Sequence, residues 1–168
     1  MPFTPYHFGP HSCVALPLNR YIDFPIFLGA NVIVDFEPLL ALLYKLNYPL
    51  HGYCHTFLIG GLLGLIWAIS AYPFRHLIGK AMSVLRLTYS PTLSKMAISG
   101  LLGVWMHVFF DAPLYYDIKP FYPLLANPLY DILSMNVVYI ICELCFIPVV
   151  LIYIFLAFFR REKIANDS

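Results

Sequence analysis

The sequence predicts an all-α fold: a polytopic membrane helical bundle with four or five spans and Pro-broken helices. Three observations predict it. Of 168 residues, 61% are apolar and only 11% charged, against roughly 45–50% and about 25% in soluble domains, so there is too little polar side chain to coat a water-soluble globule. Apolar runs recur at the length a helix needs to cross about 30 Å of hydrocarbon at 1.5 Å per residue, and mean hydropathy is +0.76. Fourteen prolines accompany nine glycines. A proline inside a helix removes a backbone hydrogen bond and kinks the rod, and broken helices at membrane depth usually line a cavity.

Taken in order, residues 3–18 form a marginal first segment, interrupted by Pro5, Pro10 and Pro17, that spans, re-enters or lies at the interface. It lacks a basic start, so no cleavable signal peptide is expected. Residues 25–44 are long enough to cross but carry Asp35 and Glu37 near their middle, with Pro38 to break the helix beside them. Residues 54–72, 95–112 and 136–159 meet the length test plainly, so 1–168 is read as a single integral membrane domain. Glu143 falls within the last of these spans without an evident partner. Cys142 and Cys145, with no second Cys-x-x-Cys, read as packing residues. Thirteen Tyr and 14 Phe read as interfacial belt and packing.

Cations set the orientation, because short loops rich in Lys and Arg stay cytoplasmic. Arg75, Lys80 and Arg86 occupy the loop 73–94, and Arg160, Arg161 and Lys163 the tail. Both belong inside, which puts the C-terminus in the cytoplasm and the loop 113–135 outside. Overall, ten Lys plus Arg against nine Asp plus Glu leave +1. That balance offers nucleic acid no basic footprint, and the composition excludes intrinsic disorder.

Ionisable groups inside apolar spans cost about 2.5–3.5 kcal/mol each on insertion scales, so each calls for a reason. Helical residues four apart share a face, and the spacing recurs in His7 with His11, His51 with His55, and His107 with Asp111. Imidazole and carboxylate one turn apart can grip one cation. In the cation-derived topology the last two pairs fall at the outer face. Asp35 and Glu37 lie deeper. Two other readings stand beside metal binding: structural hydrogen bonding between helices, and a proton or ion relay.

The opening Met1-Pro2-Phe3-Thr4-Pro5-Tyr6-His7 is followed by Val34-Asp35-Phe36-Glu37-Pro38, His51-Gly52-Tyr53-Cys54-His55-Thr56 and the His107 to Asp111 step. With Asp117-Ile118-Lys119-Pro120 and Asn127-Pro128-Leu129, the succession resembles the prokaryotic inner-membrane-bound metal-dependent hydrolases over nearly the whole chain to about Leu133. The resemblance implies a small helical membrane protein of the cell inner membrane holding divalent metal at His7, Asp35 and Glu37, His55, and His107 with Asp111. It also implies a distant likeness to zinc-dependent phospholipases C and related phosphodiesterases. Glu37 stands where a second Asp is common, Cys54 where Thr is common, and His51 near a frequent Arg, whose bidentate grip on phosphate an imidazole cannot copy.

The expected function is then hydrolysis of a phosphoester, with one or two zinc ions held by His55, His107 and Asp111 helped by His7 and Asp35, near the outer face. Glu37 or His51 is the candidate general base. A site in the bilayer suits a lipid-linked or amphiphilic substrate, so membrane lipid is the expected partner. A metal-ion or proton transporter, with polar groups staggered through the full depth, is the alternative; a structural membrane subunit without catalysis is another.

Overall fold

The computed structural model describes residues 4–159, and among them every regular element is helical. Helix α1 runs over Thr4–Ala15, α2 over Phe24–Leu43, α3 over Phe57–Ala71, α4 over Arg75–Val84, α5 over Leu93–Asp111, α6 over Met135–Leu144 and α7 over Phe146–Ile154. Side-chain oxygens start three of them. Asp23 caps α2 by accepting from the Ile26 amide, Thr56 caps α3 by accepting from Ile59, and Thr92 caps α5 by accepting from Lys95. Each cap satisfies one of the amides that a helix leaves without a partner in its first turn.

Four helical stretches are long and apolar enough to cross a membrane: Phe24–Leu43, Phe57–Val84, Leu93–Asp111 and Met135–Phe158. The second extends beyond its expected end at Tyr72. Pro73 falls in a short 3-10 turn, Tyr72–Phe74, where a missing N–H costs little, and α4 then continues the rod with Arg75, His76 and Lys80 toward its surface. Much of the expected loop 73–94 is therefore helix. The last stretch breaks at Cys145, between α6 and α7, because Pro148 has no N–H to give the Leu144 carbonyl. Helix α1 covers only 12 residues, or about 18 Å, which is roughly half a crossing.

Glycine brings two spans into backbone contact. A methyl group added at Gly64 would strike the Gly100 carbonyl, and one at Gly60 would meet Val104, while Ala68 packs on Met96. These pairings run in opposite senses, so α3 and α5 cross antiparallel over a stripe of small residues, the close-approach mode of membrane helices. Helix α2 seals one side through Ala30 and Val34 against Val104 and Val108. Trp67 donates to the Ile26 carbonyl at 3.1 Å and Trp105 to that of Phe57 at 2.8 Å, clamping α2 to α3 and α3 to α5. Helix α1 fills the remaining groove against α2, α5, α6 and α7.

The two ends of the bundle differ. One end carries Arg20, Arg75, Lys80, Arg86 and Lys95, and there Lys95 donates to the Asn19 carbonyl at 2.7 Å. Arg160, Arg161 and Lys163 of the tail lie outside the described residues. At the other end meet the start of α1, the last third of α2, the turn before α3 and the end of α5. The segment 112–134 folds over this end, held by Asn127 donating to the Ala112 and Tyr115 carbonyls and by the Phe57 amide donating to Pro120.

Candidate metal centre

Each helix delivers its polar residues to that end by its own local rule. On α5 the four-residue step places His107 and Asp111 on the face that also carries Gly100 and Val104, so the close crossing buries both. On α2, Asn31 and Asp35 stand one turn apart, Asn31 buried and Asp35 partly open. On α1, His7 and His11 likewise share a face and are both buried. His55 closes the 3-10 turn Tyr53–His55, directly ahead of the Thr56 cap. His51 and His55 therefore do not stand on one α-helical turn as their spacing suggests. The Thr56 cap fixes the start of α3 at Phe57, after both.

Asp35, His55, His107 and Asp111 converge, with one ligand atom from each lying within 4.8 Å of all the others. His107 Nε2 is 3.3 Å from Asp35 Oδ1 and 3.2 Å from Asp111 Oδ2, and His55 Nε2 is 3.7 Å and 3.9 Å from the same two atoms. His7 Nε2 joins from the other side, 3.1 Å from Asp111 Oδ1. Donor atoms bound to one cation at about 2.0–2.2 Å stand roughly 3–3.6 Å apart, and most of these separations fall at or near that range.

Hydrogen bonding does not account for the closeness. Both ring nitrogens of His7 and of His55, Nε2 of His107 and Oδ1 of Asp111 are buried with no hydrogen-bond partner among the described residues. Orphaned buried polar atoms cost about 1–3 kcal/mol each, and here they cluster around one point. The observation fits a cation: lone pairs that miss one another converge on a common centre. These residues form a group able to hold a metal ion. Asp35 is its most open member, with 19% of its side chain exposed against 0–4% for the other three, so the group is approached from the α2 side.

Around the four lies a ring of partners that fixes their angles. His107 Nδ1 sits 3.1 Å from Asn31 Oδ1, which leaves Nε2 for the centre. Behind His55, Glu37 Oε2 lies 3.6 Å from Nδ1 and accepts from the Cys54 amide at 2.9 Å, while Oε1 accepts from the Tyr48 hydroxyl at 2.9 Å. Glu37 is thus on the edge of the His55 ring away from the convergence. Burial, with Glu37 beside it, pushes the Cys54 thiol up to about 11.

His51 stands outside the four, its ring centroid 4.9 Å from that of His55 and stacked on Tyr115 at 4.1 Å. Asp117 receives its Nδ1 at 3.0 Å and its backbone amide at 3.2 Å. Burial first, and then the neighbouring His55, hold the His51 imidazole below its ordinary value against the pull of Asp117. The ring is therefore neutral near pH 7, with Nδ1–H donated to Asp117 and the Nε2 lone pair left free.

His11 does not reach the centre: its ring nitrogens lie 2.8 Å and 3.1 Å from the carbonyls of His7 and Gly103, tying α1 to α5. His76 and Glu143 are exposed on the outside of the bundle. Sequence reasoning missed Asn31 and gave Asp117 no role at the site, quoting it only within the run Asp117-Ile118-Lys119-Pro120. The cue for Asn31 was its place one helical turn before Asp35. Asp117 offered no such cue, because its partner lies 66 positions away. Comparison with known proteins finds no matching family model, no matching curated protein and no matching solved structure. The likeness to membrane-bound hydrolases rests on the quoted motifs alone.

Proposed function

We propose that the chain is a membrane-bound metal-dependent hydrolase, acting on a phosphoester of a lipid-linked or amphiphilic substrate in the cell inner membrane. The C-terminus is cytoplasmic in this reading and the centre is near the outer face. The observation that supports it is the convergence of Asp35, His55, His107 and Asp111 around buried nitrogens without hydrogen bonds. The set, two imidazoles and two carboxylates with a third imidazole on Asp111, suits one or two Zn²⁺ ions. A bound metal would supply an acidified water near pH 7 and stabilise charge on a phosphoryl oxygen.

The chain's own residues do the rest. His51, neutral and oriented by Asp117, is the general base. Asn31 holds His107, and Glu37 stands 3.6 Å behind His55 Nδ1, leaving Nε2 of each ring toward the centre. Both are positioning residues. The Asp35 side admits water or substrate. The test is purification of the full chain in detergent with zinc, elemental analysis, and assay of bis(p-nitrophenyl) phosphate and long-chain phosphodiesters beside His107→Ala. Stoichiometric metal with turnover, both lost in the variant, is expected; a chain that binds no metal overturns the reading.

One observation favours ion or proton handling instead. Lys95, Ser99, His107 and Asp111 recur at four-residue steps or multiples along one face of α5, and Ser99, His107 and Asp111 are buried. Polar groups thus extend below the centre. Against this, Ser99 donates to the Lys95 carbonyl and His11 contacts the carbonyls of His7 and Gly103, and a carbonyl oxygen has no proton to pass on. Metal bound without turnover of any ester would move the assignment to this second reading.

A further inference from the structure

Two cavities lie against residues that neighbour His55, and they differ in kind. The first, of about 330 Å³, lies under the segment 112–134 and is lined by His51, Asp117, Lys119, Tyr53 and Tyr122. The second, of about 400 Å³, is a slot between α2 and α3 lined by Ile33, Phe36, Leu40 and Leu63. Both fall in the range of about 300–1,000 Å³ typical of ligand pockets. Tyr48 lines both, and its hydroxyl is bonded to Glu37, which lines the slot. Each cavity also touches a neighbour of His55: His51 in the first and Glu37 in the second.

We infer that these cavities are the two halves of one substrate site, the polar one taking the anionic phosphate-bearing head of an amphiphile and the apolar one its alkyl chain. The inference rests on the hydrolytic reading above and names its substrate more closely. Charge supports the head assignment. Lys119 brings a cation to the cleft, while the oxygens of Asp117, the carboxylate lining it, are turned to the His51 ring and backbone amide, so Lys119 is the charged group left to face an anionic head. Side-chain character supports the tail assignment. Phe36 and Leu40 are exposed on a span that faces hydrocarbon, and the slot opens beside them, so a chain enters laterally without crossing water. The depth is consistent as well: Leu124 and Leu125, at the cleft's outer edge, are two-thirds exposed on the same segment as Lys119, as suits a loop dipping into the interface. Tyr48, which lines both cavities, marks where head and tail would join, on the His51 and Glu37 side of His55.

The test uses hexadecylphosphonate carrying a diazirine on its chain, whose P–C bond resists hydrolysis, so that binding is read whether or not any ester turns over. The full chain in lipid nanodiscs is irradiated and the labelled positions are mapped by mass spectrometry. Label should concentrate on 33–40 and Leu63, fall at least fivefold in Leu40→Trp and in Lys119→Ala, and return in Lys119→Arg. A diazirine analogue of hexadecanol should be indifferent to Lys119→Ala. Even labelling of all lipid-facing helices, or slot labelling that ignores Lys119→Ala, overturns the inference. Focused, Lys119-dependent labelling by a chain that hydrolyses no ester overturns the hydrolytic reading and leaves an amphiphile-binding site.

Discussion

Asn31 is no candidate ligand itself, yet its Oδ1, 3.1 Å from His107 Nδ1, fixes which nitrogen His107 presents. Partners of this kind typically hold about 10–100-fold of metal affinity. Asn31→Ala should therefore weaken zinc binding by about that factor in a competition titration with a chromogenic chelator, while the purified protein keeps its helical circular dichroism. Asp117 acts one step further out, through the His51 ring. A general base contributes about 10²–10⁴-fold, so Asp117→Asn should lower kcat by at least about 10²-fold with metal content unchanged; a fall in metal content instead would assign Asp117 to the centre. At this scale the sequence was half legible. His55, His107, Asp111 and Asp35 announce themselves because ionisable groups in apolar runs demand a reason. Asn31 is neutral and unremarkable in a span, and Asp117 sits in a loop where a carboxylate is ordinary. Glu37 looked like a base because carboxylates can be bases; only three-dimensional packing shows it behind His55, engaged by Tyr48 and the Cys54 amide.

Among the elements, the α3–α5 pair carries three of the four converging residues, with His55 just ahead of α3 and His107 and Asp111 on α5. Gly64→Ala would drive a methyl group into the Gly100 carbonyl, and forced overpacking costs about 1–3 kcal/mol. The expected result is a lower midpoint in a denaturing-detergent titration together with reduced zinc occupancy, because separating the rods also separates His55 from His107. Unchanged occupancy at a lowered midpoint would show that the centre tolerates the shift. The apolar runs made the spans legible, but their ends were less so. Pro73 looked like a terminus, yet it sits second in a three-residue helical turn, where its missing N–H costs little. Pro148 falls within the last expected span, 136–159, and divides α6 from α7. Pro10 and Pro38 lie inside α1 and α2 without ending them, so the residue type alone does not mark a helix end, and the break expected beside Asp35 and Glu37 does not occur.

For the molecule as a whole, the cationic end and the centre lie at opposite ends of the bundle, and the arrangement makes a topological prediction. Lys119 and Lys80 are both exposed. Lys119→Cys should react with a membrane-impermeant maleimide from outside intact cells, and Lys80→Cys only after the membrane is opened. Both signals are read above the wild-type background set by the four native cysteines. Reversed accessibility would turn the centre toward the cytoplasm. The bundle was legible at this scale because burial in lipid requires helices to satisfy their own backbone, which leaves few architectures for so apolar a chain. The half-length α1 was less so. Its 12 residues fill a groove rather than cross, a choice set by the space between α2 and α6 and not by its own composition.

The glycine crossing has a mechanical corollary. With no side chain between them at Gly64 and Gly100, the two rods cannot slide lengthwise or roll without backbone collision, so the converging imidazoles are carried on a single stiff truss. On the hydrolytic reading proposed above, opening and resealing would then fall to the crown formed by 112–134, and the rate should follow the latch at Asn127 more closely than the fluidity of the surrounding lipid.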